Sequence, residues 1–115
     1  MGRYQDALAM YERAIEVQPH LWEAHSGRGM ALAHLGRWAD ALAAYDRAIE
    51  FSPGFADAYY NRACAYARLA NRDEALEDLK RAIELDPKYR DVAKTDEDFE
   101  GLREDPEFRK LVGME

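Results

Sequence analysis

One cysteine, Cys64, stands in 115 residues, so no disulfide framework can hold the chain together. No apolar run approaches the ~20 residues needed to span a bilayer. The opening Met1-Gly2-Arg3-Tyr4-Gln5-Asp6 carries no secretory pattern, and a cytoplasmic protein with no membrane partner is expected. Basic charge is also scarce. Lys and Arg number 16 against 23 Asp and Glu, a net charge of −7 with a pI near 5.0. A phosphate backbone is gripped by clustered cations, and here the two signs are interspersed along the whole chain, which argues against nucleic acid as a partner.

The raw material of catalysis is missing too. Ser26 and Ser52 are the only serines, and neither lies in a Gly-x-Ser-x-Gly elbow. No histidine has nucleophile spacing to Cys64. Gly27-Arg28-Gly29 lacks the third glycine of a dinucleotide loop. His25 and His34, nine residues apart on one helix, fall on opposite faces and cannot share a metal, and His20 lies in a connector. No enzyme activity, cofactor or metal is expected.

What the chain has in quantity is repetition. Pro19, Pro53 and Pro87 are spaced 34 residues apart, and Arg13-Ala14-Ile15-Glu16 recurs as Arg47-Ala48-Ile49-Glu50 and Arg81-Ala82-Ile83-Glu84. Ala7-Leu8 recurs as Ala41-Leu42 and Ala75-Leu76. A fixed period of this length marks stacked copies of one supersecondary unit. Within a unit, Ala56, Tyr59, Tyr60, Ala63, Tyr66 and Ala67 follow the three-and-four spacing of an amphipathic helix. Asn71-Arg72-Asp73 breaks it, with Asp73 placed to cap a second helix running to about Leu85, and Asp86-Pro87 closes the unit. The preceding unit predicts helices over Trp22–Leu35 and Asp40–Phe51, with Gly36 as the left-handed stop between them.

These residues resemble the tetratricopeptide repeat family over roughly residues 1–90. Small residues at helix crossings match in Gly29 and Ala63, and in Ala7, Ala14, Ala41, Ala48, Ala75 and Ala82, while Leu32, Tyr66, Tyr11, Tyr45 and Leu79 supply the bulk around them. The resemblance implies an all-α, right-handed superhelical solenoid of antiparallel helix pairs. One domain, 1–115, would then comprise the second helix of a truncated repeat (1–20), two repeats (21–54 and 55–88) and C-terminal capping helices (89–115). The cap is expected from Thr95-x-x-Asp98 as a capping box and from Asp105-Pro106 as N-cap plus first-turn proline, with Gly113 as the stop. Arg28 and Arg62 depart from the family by replacing its leucine, and their stems should pack while their heads reach water or a carboxylate. Gly27 costs about 1 kcal/mol inside a helix with no evident compensation.

Function follows from the resemblance as an expectation: a non-catalytic module that holds a peptide or protein segment on the concave face. By position that face comprises Glu23, Ser26, Met30, His34, Asp57, Tyr60, Asn61, Cys64 and Arg68, with Tyr60 and Met30 as anchors. Of the family's chaperone-peptide clamp only Asn61 fits, since Glu23 and Asp57 have the wrong sign. One alternative is calcium binding, for Asp96, Asp98, Glu100, Gly101 and Glu107 have EF-hand spacing, although Arg103 and Pro106 disagree with it. Another is a structural spacer. Finally, the first helix lacks the partner before it, so Tyr4, Leu8 and Tyr11 are expected to leave apolar surface that a homodimer would cover.

Overall fold

A computed structural model describes residues 2–114 of the chain. Seven α-helices occur among them: α1 (Arg3–Val17), α2 (Trp22–His34), α3 (Trp38–Phe51), α4 (Ala56–Arg68), α5 (Arg72–Leu85), α6 (Tyr89–Thr95) and α7 (Pro106–Val112), with a 3-10 turn at Glu97–Leu102 before α7. No strand occurs in the described residues. The helices pack in sequence, α1 on α2, α2 on α3, α3 on α4 and α4 on α5, into a body of 47 × 30 × 20 Å. Short links between consecutive packed helices make neighbours antiparallel, giving the helical-repeat solenoid that the period implies.

The turn inside each repeat is a Schellman motif. The Arg37 amide donates to the Leu32 carbonyl at 2.9 Å, and the Asn71 amide to Tyr66 at 2.8 Å. The residue just before must be left-handed. Gly36 provides this at φ 76, as its sequence position suggests, while 34 residues later Ala70 is forced to φ 61. The second helices start two residues earlier than expected: α3 at Trp38 and α5 at Arg72. Asp73 therefore lies in the first turn of α5, where its charge faces the helix dipole, and is not the cap.

Close helix approach explains the small residues. Ala41, Ala48, Ala63, Ala75 and Ala82 have no solvent exposure. A Cβ on Gly29 would lie 2.5 Å from the ring of Tyr45, and one on Gly27 closer still to the ring of Tyr11. Gly27, which has no rationale in the sequence, is thus the seat for an aromatic of α1. The two arginines behave alike: Arg28 reaches Glu12 of α1 at 3.3 Å, and Arg62 reaches Asp46 of α3 at 2.9 Å. Arg62 also grips buried Asp78 with two bonds, 2.7 and 2.8 Å, on which its raised pKa chiefly rests.

The core falls into two clusters. One is built on Leu8, Leu32, Ala44 and Tyr45; the other, larger, on Leu79, Ile83, Tyr89, Phe99, Phe108 and Val112. The cap thus contributes core and is not a polar cover alone. Asp105 accepts from the Glu107 and Phe108 amides with Pro106 behind it, and Gly113 closes α7 at φ 80, as expected. Thr95, however, belongs to α6, and the side chain that caps the 3-10 turn is Asp96, accepting from the Asp98 amide at 2.9 Å. Arg72 clasps the cap to α5 through Asp105 and Glu107. The bond from Arg72 chiefly holds the Asp105 carboxyl below the usual range.

The apolar face expected at α1 is only partly free. Leu8 is 9% exposed, Tyr11 sits on Gly27 and Tyr4 stacks on His34 at 4.3 Å, all against α2. Tyr4 and Tyr11 still keep 42% and 36% exposure, as expected, and Met10 and Val17 of the same helix keep 71% and 81%.

Candidate functional site

The first helices of the two repeats, α2 and α4, set the expected binding residues at matching registers 34 apart: Ser26 with Tyr60, Met30 with Cys64, His34 with Arg68. Over α4 that face is already covered. The Tyr60 hydroxyl donates to Asp96 at 2.6 Å, its ring stacks on Tyr89 at 4.5 Å, and Phe99 packs edge-on at 5.7 Å. Arg68 donates through Nε to Asp98 at 2.7 Å, and the Cys64 thiol lies 3.9 Å from Asp96. Tyr60 therefore does not stand as a surface anchor. It is 5% exposed, because the polypeptide after α6 folds back over α4. Ser26 and Cys64 are likewise buried, Cys64 by the same segment. Burial pushes the Tyr60 hydroxyl and the Cys64 thiol well up, so both stay protonated at neutral pH.

Where the cover ends, a cavity of about 330 Å³ opens, lined by Met30, Ala33, His34, Trp38, Tyr45, Asn61, Cys64, Arg68 and Asp98. It unites five of the nine expected residues and leaves out Glu23, Ser26, Asp57 and Tyr60. The floor is apolar: Tyr45 is buried and Met30 is 46% exposed at the mouth. Arg68 forms the far wall, its guanidinium over the Trp38 ring at 5.3 Å and tied to Asp98. His34 donates through Nδ1 to its own helix's Met30 carbonyl, 2.8 Å away, so this ring nitrogen is turned inward. Trp38, Tyr45 and Asp98 were missed by sequence reasoning. Trp38 and Tyr45 belong to α3, the second helix of the repeat, and only the fold-back of the cap brings Asp98 there.

The acidic stretch 96–107 does not wrap a common centre. It divides into a 3-10 turn and α7, with Asp98 on Arg68, Glu107 on Arg72 and Asp105 on the α7 amides. Cys64, Asp96 and Asp98 do offer one atom each within 4.8 Å of one another. Yet Asp96 and Asp98 are taken up by Tyr60 and Arg68, and the thiol is protonated, so this donor set favours the hydrogen bonds it already makes. A wider trough of about 850 Å³ between α5 and α7 is lined by Leu76 and Leu111 together with Asp73, Glu77, Lys80, Arg81, Glu84, Arg90, Glu107 and Lys110, an open mixed surface with charges of both signs around two leucines.

Family models described as tetratricopeptide repeat match residues 1–56 and 56–89. The chain belongs to the tetratricopeptide repeat family. Among solved structures it is similar to YrrB, described as a TPR protein with an unusual peptide-binding site, at 39% identity and a TM-score of 0.69. That match covers 74% of this chain and 44% of YrrB, so the chain spans less than half of that relative. The first TPR of Spaghetti (RPAP3), solved bound to the HSP90 peptide SRMEEVD, gives a TM-score of 0.75 at 23% identity, over 97% of this chain and 79% of that one. MamA gives 0.80 at 24% identity, over 98% and 67%. These last two likenesses concern the fold. No curated protein sequence matches the chain. No helix among the described residues is long and apolar enough to cross a membrane.

Proposed function

We propose that this TPR chain is a non-catalytic interaction module that holds a segment of a partner protein, an apolar side chain of that segment entering the cavity between α2 and α4. The observation that carries the reading is this cavity: apolar at its floor, open at Met30, and bounded by the Arg68–Asp98 pair, on the face where the family resemblance leads binding residues to be expected. A cavity of about 330 Å³ takes one large side chain with room for its backbone. Glu23 and Asp57, outside the cavity near the starts of α2 and α4, favour a neutral or basic residue further along the ligand. YrrB and RPAP3, with their described peptide sites, support a peptide as the class of ligand. A cytoplasmic setting belongs to the same proposal.

Selection from a random-peptide phage library, followed by anisotropy with the enriched peptide, tests it. Met30→Glu should weaken that peptide by about tenfold or more, equal to ~1.4 kcal/mol, whereas Glu77→Ala in the charged trough should leave it unchanged. Enrichment of no sequence, or equal binding by Met30→Glu, rejects the site.

A further inference from the structure

Tyr45 lies on the floor of the α2–α4 cavity with its ring packed on Gly29. The residue is only 2% exposed, yet its hydroxyl makes no hydrogen bond among the described residues. That oxygen is not sealed from solvent either, since the sealed side-chain polar atom without a partner there is Arg103 Nε. The hydroxyl therefore opens on the cavity. Burial, and then Cys64 and Asp98 of the cavity wall, push its pKa up, so at neutral pH it keeps its proton and can donate. Packing does not call for the oxygen: 34 residues on, where the cap closes over the core, the same position is Leu79 at 0% exposure.

We propose, resting on the reading of this cavity as the ligand site, that the side chain it receives is a tyrosine, apolar along its ring and hydrogen-bonded at its tip to the Tyr45 hydroxyl. A ligand that fills the cavity strips solvent from the floor, and a hydrocarbon tip leaves the Tyr45 hydroxyl without a partner. The tip also meets acceptors. His34 donates through Nδ1 to the Met30 carbonyl, which leaves Nε2 of the neutral ring to accept. The Asn61 carboxamide, in no hydrogen bond among the described residues, can accept or donate. A phenolic hydroxyl serves both roles from one atom. A carboxylate tip is disfavoured, because Asp98 is close enough to act on the Tyr45 hydroxyl and the Arg68 charge is already paired with it. Around the opening the lining is Met30, Ala33 and Trp38, apolar and polarisable, which suits an aromatic ring better than the stem of a glutamine.

Random-peptide phage selections on the full chain and on Tyr45→Phe give the test. The substitution keeps the ring that packs on Gly29, and helical circular dichroism should be unchanged. The wild type should enrich tyrosine at one position. A fluorescent peptide with that tyrosine should bind about tenfold more tightly than its copy with phenylalanine there. Against Tyr45→Phe the two peptides should bind within about twofold of each other. Enrichment without tyrosine, equal binding of the two peptides by wild type, or a preference that survives in Tyr45→Phe overturns the proposal. The cavity still stands as the ligand site in those cases if Met30→Glu weakens the enriched peptide, whereas no enrichment, or no effect of Met30→Glu, overturns both.

Discussion

Two glycines on one helix, two residues apart, should answer the same substitution differently. Gly→Ala inside a helix gains about 1 kcal/mol of propensity, and both Gly27 and Gly29 lie within α2. At Gly29 the new methyl would stand 2.5 to 2.9 Å from three ring carbons of Tyr45, a side chain only 2% exposed and packed in the core between α2 and α3, with the cavity floor as its one open side. That ring must give up core packing to move, or α2 and α3 must part, and overpacking of this kind costs roughly 1–3 kcal/mol or more. With the overlap this deep, the upper end applies, and the net loss is about 1–2 kcal/mol after the propensity gain. At Gly27 the ring is Tyr11, which is 36% exposed on the outer helix and can turn into solvent. There the two contributions nearly cancel. Urea and thermal unfolding followed at the helical minimum should place Gly29→Ala about 4–8 °C below wild type, with Gly27→Ala within ~2 °C of it. Equal melting temperatures for the two variants would refute the argument that mobility of the opposing ring decides the cost.

Ala70→Gly should raise stability by about 1 kcal/mol, measured by urea unfolding, because Ala70 is held at φ 61 where its counterpart Gly36 carries no Cβ. The cap should loosen in acid. The folded pKa of Asp105 is depressed, so its contribution is full above the ordinary carboxylate range and is lost as pH falls through the lower folded value. Hydrogen-exchange protection of the Glu107 and Phe108 amides, corrected for the intrinsic pH dependence of exchange, should accordingly fall at acid pH before that of α3, and Asp105→Asn should show the low protection already at neutral pH.

The repeats could be read from the sequence because each second-helix position recurs three times along the chain and each first-helix position twice. A proline, an alanine pair and an Arg-Ala-Ile-Glu run recurring every 34 residues leave few architectures. What eluded it was whatever the period does not repeat. Ala70 gives no sign of a left-handed turn except by alignment with Gly36. Gly27 looks like a helix flaw until Tyr11 is seen over it. The cap was legible as helices and caps, from Asp105-Pro106 and Gly113, but the direction in which it folds back was not. That direction decides the site: it buries Tyr60 and Cys64, adds Asp98, and turns a long expected face into one cavity near α2. Trp38 and Tyr45 were not expected at the site for a simpler reason, since they belong to the second helix of their repeat and only three-dimensional packing brings them to the face of the first.

The acidic segment lying on α4 has a further consequence for anything that binds beside it. A group tethered to its own docking surface competes at an effective concentration in the millimolar range, far above that of a free protein. Arg68 is therefore saturated by Asp98 before any partner arrives, and a ligand gains nothing by carrying a carboxylate meant for it. Under the proposed function, discrimination at the mouth is left to the shape of the apolar opening at Met30 and Trp38. Such a receptor should tolerate wide variation in the charge of its ligands at that end and little in the size of the single side chain they insert.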